Sequence, residues 1–243
     1  MLTMVGLGIW DEKDLSLKGM EAAVRSDSVY AELYTADWGG SLKNLEKFIG
    51  KEITVLKRND LEEKSGRILK EAKEKDVTIF VPGDPLVATT HVHIILEARK
   101  KKIPTRIIHS SSAYTAIAEC GLGIYGFGRT STVVKPQKDY EPTSFYDARE
   151  VNKKNGLHTL LLLDIGIGVK EGLEILLKIE EKEKKKLVLP ETEIVAVSRL
   201  GSGKQKIKFG KVRDIKKGKF ESPAMVVIPG NIHFLEKEFL KGI

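Results

Sequence analysis

A single cysteine, Cys120, in 243 residues excludes an internal disulfide and fits a reducing compartment, so a cytoplasmic location is expected. No apolar run is long enough to span a bilayer, and the N-terminus lacks the basic flank and cleavage site of a secretory signal. Aromatic residues make up only 7% of the chain and form no RNA-binding signature. Without a second cysteine no zinc-finger spacing can exist. The five histidines are too dispersed for a metal centre, and His91 and His93 would point to different sides of a helix. Capping or core roles are expected for all of them. Ser110-Ser-Ser112 lacks the Gly-x-Ser-x-Gly elbow of hydrolases, and no Walker lysine in a Gly-x-x-x-x-Gly-Lys spacing is present, as nucleotide hydrolysis would need. Gly6-Leu-Gly8 opens like a dinucleotide-binding turn, but Asp11 stands where the third glycine is required.

What is present is a globular composition, 41% hydrophobic and 31% charged, enough to bury one large core or two smaller ones. The net charge of +7 comes largely from short lysine runs, such as residues 100–102 and 182–186, placed where helices should end. A solvated surface or an acidic macromolecular partner is therefore expected rather than nucleic acid.

The first half alternates strands and helices. Strands are expected at 1–5, 28–34, 53–55, 77–81 and 104–109, and helices at 15–25, 42–49, 61–75, 88–102 and 114–120. Asp14 or Ser16 should cap the first helix. Such alternation implies a mostly parallel sheet covered on both faces. Glycines 121, 123, 126 and 128 read as a flexible link, which places a domain boundary near residues 112–121 and gives domains 1–112 and 113–243. Beyond it, strands are expected at 130–134, 159–163, 191–199, 206–215 and 224–228, with helices at 143–155, 170–186 and 233–240. The alternation in 206–215 is that of antiparallel pairing, so the second sheet is expected to be mixed, with a hairpin.

The organising stretch is Val81-Pro-Gly-Asp-Pro-Leu-Val-Ala-Thr-Thr-His91. It follows a buried strand, and its prolines and glycine force a turn at the strand's carboxyl end, where open α/β sheets bind ligands. Gly83 permits close backbone approach, Asp84 accepts hydrogen bonds, and Thr89 and Thr90 add hydroxyls at the start of the next helix. Asp84 or Thr89 could equally serve only as a turn cap. Ser110–Ser112, at another strand end, should face the same ligand. Several ligand-ready strand ends without a nucleophile, metal or acid/base pair suit the transfer of an already activated group, which requires alignment and desolvation.

Taken together, residues 6–14, 83–91, 109–112, 135–137, 142–147 and 156–160 resemble the diphthine synthases, which share a fold class with the tetrapyrrole (precorrin) methyltransferases. The resemblance implies two α/β domains with S-adenosylmethionine in the cleft between them and S-adenosylhomocysteine as product. It implies a homodimer that needs no metal and acts on a histidine of translation elongation factor 2 bearing a 3-amino-3-carboxypropyl group, whose amine is methylated to a trimethylammonium. Carried over by motif, Ile9, Asp84, Val87, Ser112, Ala113 and Leu163 would line the cofactor, and Leu200 and Ala224 are placed there from the later strand ends. No residue is assigned as a catalytic base. A methyltransferase for a tetrapyrrole or another small molecule is the alternative, and it would need an apolar, macrocycle-sized trough.

Overall fold

The computed structural model describes residues 1–138 and 140–243; Asp139, within the polar stretch 135–147, lies outside the described residues. The chain forms two compact units, Met1–Ala116 and Ile117–Ile243.

The first unit is built on β1 (Leu2–Gly6), β2 (Ser28–Glu32), β3 (Thr54–Leu56), β4 (Val77–Val81) and β5 (Thr105–Ile108), all parallel, in the order β3-β2-β4-β1-β5. Every residue of β1 and β4 is buried, as their unbroken apolar runs require. Helices α1 (Leu17–Arg25) and α2 (Leu42–Ile49) lead the chain from β1 out to β3. Their Ala23, Leu45 and Ile49 pack with Val5 and Phe80 on one face. Helices α3 (Arg58–Glu62), α4 (Gly66–Glu74) and α5 (Val92–Lys100) bring it back, packing Leu61, Ile68, Leu69, Ile94 and Ile95 against Met4 and Ile79 on the other. Right-handed crossovers running in opposite directions must lie on opposite faces. The direction therefore reverses between the neighbouring strands β4 and β1, opening a crevice at their carboxyl ends.

Three local expectations are corrected here. The helix expected over 61–75 is two helices: the chain is redirected at Ser65-Gly66, where no side chain caps the second helix. The helix expected from Ala88 starts at Val92. Ala88 adopts φ +55°, outside helical space, so Thr89 and Thr90 precede the helix; the Thr89 hydroxyl donates to the Pro85 carbonyl and that of Thr90 to Glu62. Before α1, Ser16 accepts from the Gly19 N–H as the cap, while Asp14 accepts from the Trp10 and Asp11 N–H groups and so closes the Gly8 turn.

The first unit ends with α6 (Ala113–Ala116); a 3-10 turn, Ile117–Cys120, opens the second. The second unit holds β6 (Ser131–Val133), α7 (Ser144–Lys154), β7 (Thr159–Leu163), α8 (Val169–Glu183), β8 (Glu193–Ser198), β9 (Lys206–Lys211), α9 (Val212–Ile215), β10 (Ala224–Ile228) and α10 (Phe234–Leu240). Its order is β6-β7-β10-β8-β9. β6 and β7 are parallel and the other pairs antiparallel, including the β8–β9 hairpin, so the sheet is mixed as the alternation implied. The strand expected to Ile215 stops at Lys211 because Val212 and Ile215, three apart, turn inward together on a short helix. The glycines read as a flexible link are held in close packing. A Cβ on Gly126 would stand 2.7 Å from the His158 ring and one on Gly128 2.2 Å from Asn152, so glycine serves close approach there.

Candidate active site

Three loops leave the adjacent ends of β4, β1 and β5, and those of β1 and β4 bind one another through their backbones. Gly8 N–H donates to the Gly83 carbonyl at 3.2 Å and Gly83 N–H to the Gly8 carbonyl at 2.9 Å. A Cβ on Gly6 would lie 2.4 Å from the Gly83 oxygen, so glycine at 6 is what lets the loops meet. Gly83 itself has φ +66°, a conformation that favours glycine, and its open side faces Ser112.

Asp84 joins the loops. It is buried, and both carboxylate oxygens are engaged: Oδ1 accepts from Leu86 N–H at 3.1 Å, while Oδ2 lies 2.8 Å from His109 Nδ1 and accepts from Ser110 N–H at 3.3 Å. The turn-cap role weighed from the sequence is present in the Leu86 N–H bond. The same carboxylate shapes its own turn and ties the β4 end to the β5 end. His109 was missed as its partner. The signal was a histidine closing a strand immediately before a serine run.

Ser112 is 5% exposed, and its hydroxyl has no hydrogen-bond partner among the described residues. Its backbone is occupied, since the carbonyl accepts from Ala116 N–H at 2.9 Å and the N–H donates to Thr115 Oγ1 at 3.3 Å. A buried hydroxyl without a partner is uncommon and costs about 1–3 kcal/mol. Ile9 and Val87 are half-buried on neighbouring loops, and the Val87 N–H donates to the Asp84 carbonyl at 3.3 Å. Trp10 lies against Gly39, where a Cβ would meet its ring at 2.3 Å. Ile9, Asp84, Val87, Ser112 and Ala113 are therefore brought to one edge of the first sheet. A polar ligand with an apolar body fits this edge: a hydroxyl free to donate or accept, with aliphatic walls beside it.

In the second unit the remaining candidates share one row. Ala224 opens β10 opposite Leu163, the last residue of β7. On its other side Ala224 pairs with Ser198, which ends β8 two residues before Leu200. Leu200 and Ala224 are buried, and Leu163 packs on the core beside Gly172. Arg199, at φ +53°, turns the chain there, and its N–H donates to the Pro223 carbonyl at 2.8 Å. Among the described residues no group of three or more acidic, histidine or cysteine side chains could hold a metal.

Residues 1–216 match the model of the tetrapyrrole (corrin/porphyrin) methylases. The diphthine synthase of Methanococcus aeolicus is 42% identical, with 99% of this chain and 97% of that protein covered. The diphthine synthase of Methanocaldococcus jannaschii is 40% identical, covering 99% and 98%. The chain belongs to the diphthine synthases, within the tetrapyrrole methylase family. A crystal structure of diphthine synthase matches its fold with a TM-score of 0.89 at 38% identity, covering 99% of this chain and 94% of that one. As a member it is an S-adenosylmethionine-dependent methyltransferase of diphthamide biosynthesis. The unpartnered Ser112 hydroxyl and the aliphatic walls beside it fit that cofactor, which carries both polar groups and an apolar thioether arm.

Proposed function

We propose that this chain methylates the amino nitrogen of a 3-amino-3-carboxypropyl group borne by a histidine of translation elongation factor 2, three times in succession, to give the trimethylammonium of diphthine. It acts in the cytoplasm as a homodimer. The observation that carries the reading is the buried, unpartnered Ser112 hydroxyl beside the Gly83–Val87 turn, in a chain whose relatives are named diphthine synthases. Ile9, Asp84, Val87, Ser112 and Ala113 would hold the cofactor, and the family resemblance adds Leu163, Leu200 and Ala224 to that set.

S-adenosylmethionine supplies an electrophilic methyl group on a positively charged sulfur and departs as S-adenosylhomocysteine. The protein's part is to bind, orient and exclude water. Ser112 offers a hydroxyl whose partner the protein does not provide. Asp84 holds the turn in shape with both oxygens and keeps lone-pair capacity on Oδ1, which has a single protein donor. Ile9 and Val87 present aliphatic surface, and an amine entering such surroundings loses water, which favours its neutral, nucleophilic form. Holding the two reactants in line is worth several kcal/mol of barrier without covalent participation.

The test incubates purified protein with S-adenosylmethionine and elongation factor 2 carrying the aminocarboxypropyl histidine, and reads the modified peptide by mass spectrometry. A gain of three methyl masses confined to that peptide is expected. No gain, with cofactor binding retained, would sink the acceptor assignment and redirect the search to small-molecule amines.

A further inference from the structure

A second carboxylate–histidine pair, unused by the site described above, sits at the end of β2. Glu32 closes that strand and is fully buried. Its Oε2 accepts from Tyr34 N–H at 3.2 Å and Thr35 N–H at 3.3 Å, and Oε1 accepts from the Thr35 hydroxyl at 2.6 Å. His91, which ends the loop begun by Asp84, is 3% exposed. Its Nδ1 lies 3.2 Å from the Pro85 carbonyl, and its Nε2, without a hydrogen-bond partner among the described residues, is 3.5 Å from Glu32 Oε1.

The Pro85 carbonyl can only accept, so Nδ1 carries a hydrogen. Nε2 and Oε1 then face each other, and if both are bare a lone pair opposes a buried carboxylate. One proton between them removes the conflict on whichever atom it rests, and leaves the pair neutral overall, as burial demands. Burial pushes Glu32 up to about 7 and His91 down, the two directions that keep one proton in the pair. The charged neighbours do not stand in for it. On α3 the Arg58 guanidinium lies 5.2 Å from the Tyr34 ring centre, but it is bonded at 3.3 Å to Glu62, and Asp60 of the same helix adds a further negative charge. Tyr34 meets the His91 ring edge-on at 6.4 Å, and His93 lines the small cavity beside Thr90 and Glu62.

The consequence passes along the loop. His91 Nδ1 and the Thr89 hydroxyl, at 3.0 Å, both bind the Pro85 carbonyl, and Pro85 stands between Asp84 and Leu86, whose N–H closes the Asp84 turn. We propose that Glu32 and His91 share a single proton which fixes the 84–91 loop, making them positioning residues for the cofactor. This rests on the reading that Asp84 and Val87 hold S-adenosylmethionine.

The test titrates the full chain calorimetrically with S-adenosylhomocysteine between about pH 6 and 9, as wild type and as Glu32→Gln. Glutamine keeps an oxygen for Thr35 and points a permanent N–H at His91 Nε2. Wild-type affinity should fall about five- to tenfold as the pair loses its proton above neutral pH, the worth of one hydrogen bond. Glu32→Gln should hold the neutral-pH affinity throughout, and the ratio of the two curves removes the ligand's own titration. Nitrogen-15 NMR of the histidines in wild-type protein without ligand gives a readout independent of how the variant folds: the His91 Nε2 signal should move with the same midpoint. Parallel curves for the two proteins, or a His91 midpoint unrelated to the loss of affinity, would overturn the shared proton while leaving the cofactor site standing. No binding by wild type at any pH would overturn the cofactor assignment and this inference with it.

Discussion

Two carboxylate–histidine pairs stand at strand ends of one parallel sheet, and they differ in what surrounds them. Asp84 and His109 meet at 2.8 Å with the imidazole side chain 69% exposed. Glu32 and His91 lie 3.5 Å apart with side chains 0% and 2% exposed. Where water reaches the histidine, the carboxylate is free to organise its loop, and Asp84 spends both oxygens doing so. Where water is shut out, the same two groups must resolve their charge between themselves. Chemical identity therefore does not fix the role of such a pair; access of water does.

The sharpest way to break the comparison is to remove the exposed pair's acid. Asp84→Ala strips three hydrogen bonds from the junction of the β4 and β5 loops. It should lower stability by roughly 2–4 kcal/mol, seen in chemical denaturation, and abolish measurable cofactor binding in calorimetry. Unchanged stability and affinity would show that the turn holds itself.

The buried pair is tested through pH. Glu32, raised from 4.5 to about 7, contributes stability that is fully present below about 4.5 and is lost as pH climbs through about 7. His91, lowered from 6.5, has the opposite sign, its contribution present above about 6.5 and lost as pH falls. In the wild type the two slopes offset one another through mildly acid pH. His91→Leu leaves Glu32 alone, so stability should fall by about 1.4 kcal/mol per pH unit between about 4.5 and 7. Urea unfolding at a series of pH values measures this, and a profile as flat as the wild type's would remove the distinction between the pairs.

Ser112→Ala should act in the reverse direction from most buried polar substitutions. The hydroxyl has no partner among the described residues, so unfolding should be unaffected or slightly harder. Cofactor affinity should drop about three- to tenfold, the value of a single hydrogen bond; equal affinity in calorimetry would remove Ser112 from the site. The smallest effect belongs to His109→Ala. An exposed partner contributes little, and less than about 1 kcal/mol of stability is expected to be lost, provided Ser110 and Leu86 still hold Asp84. A larger loss in denaturant would mean that the exposed pair behaves like the buried one.

Much of the arrangement was legible because apolar runs fix strands wherever they are buried on both faces. Residues 77–81 and 159–163 show this, and the alternation in 206–211 revealed the antiparallel edge. Gly83 and Asp84 could be singled out because prolines and glycines leave a turn few alternatives, and Ser112 because it follows a strand end in a serine run. Helix starts were misjudged where the deciding factor was not periodic. Ala88 is forced to positive φ by the turn it closes, and Ser65-Gly66 breaks a helical pattern whose apolar spacing runs straight through it. The glycines of 121–128 read as flexible because glycine favours both looseness and close packing, and only the neighbouring His158, Asn152 and Phe239 decide between them.

The sequence by itself determined the parallel and mixed sheets, the sharp turn at the end of β4 and the family, because local pattern and motif spacing are properties of neighbouring residues. Which groups meet was decided by tertiary structure alone. His109 comes to Asp84 across 25 positions because β4 and β5 flank the single strand β1, and His91 reaches Glu32 across 59 because β4 pairs directly with β2. Whether each pair is wet or dry follows from the burial that this packing creates and from nothing nearer in sequence.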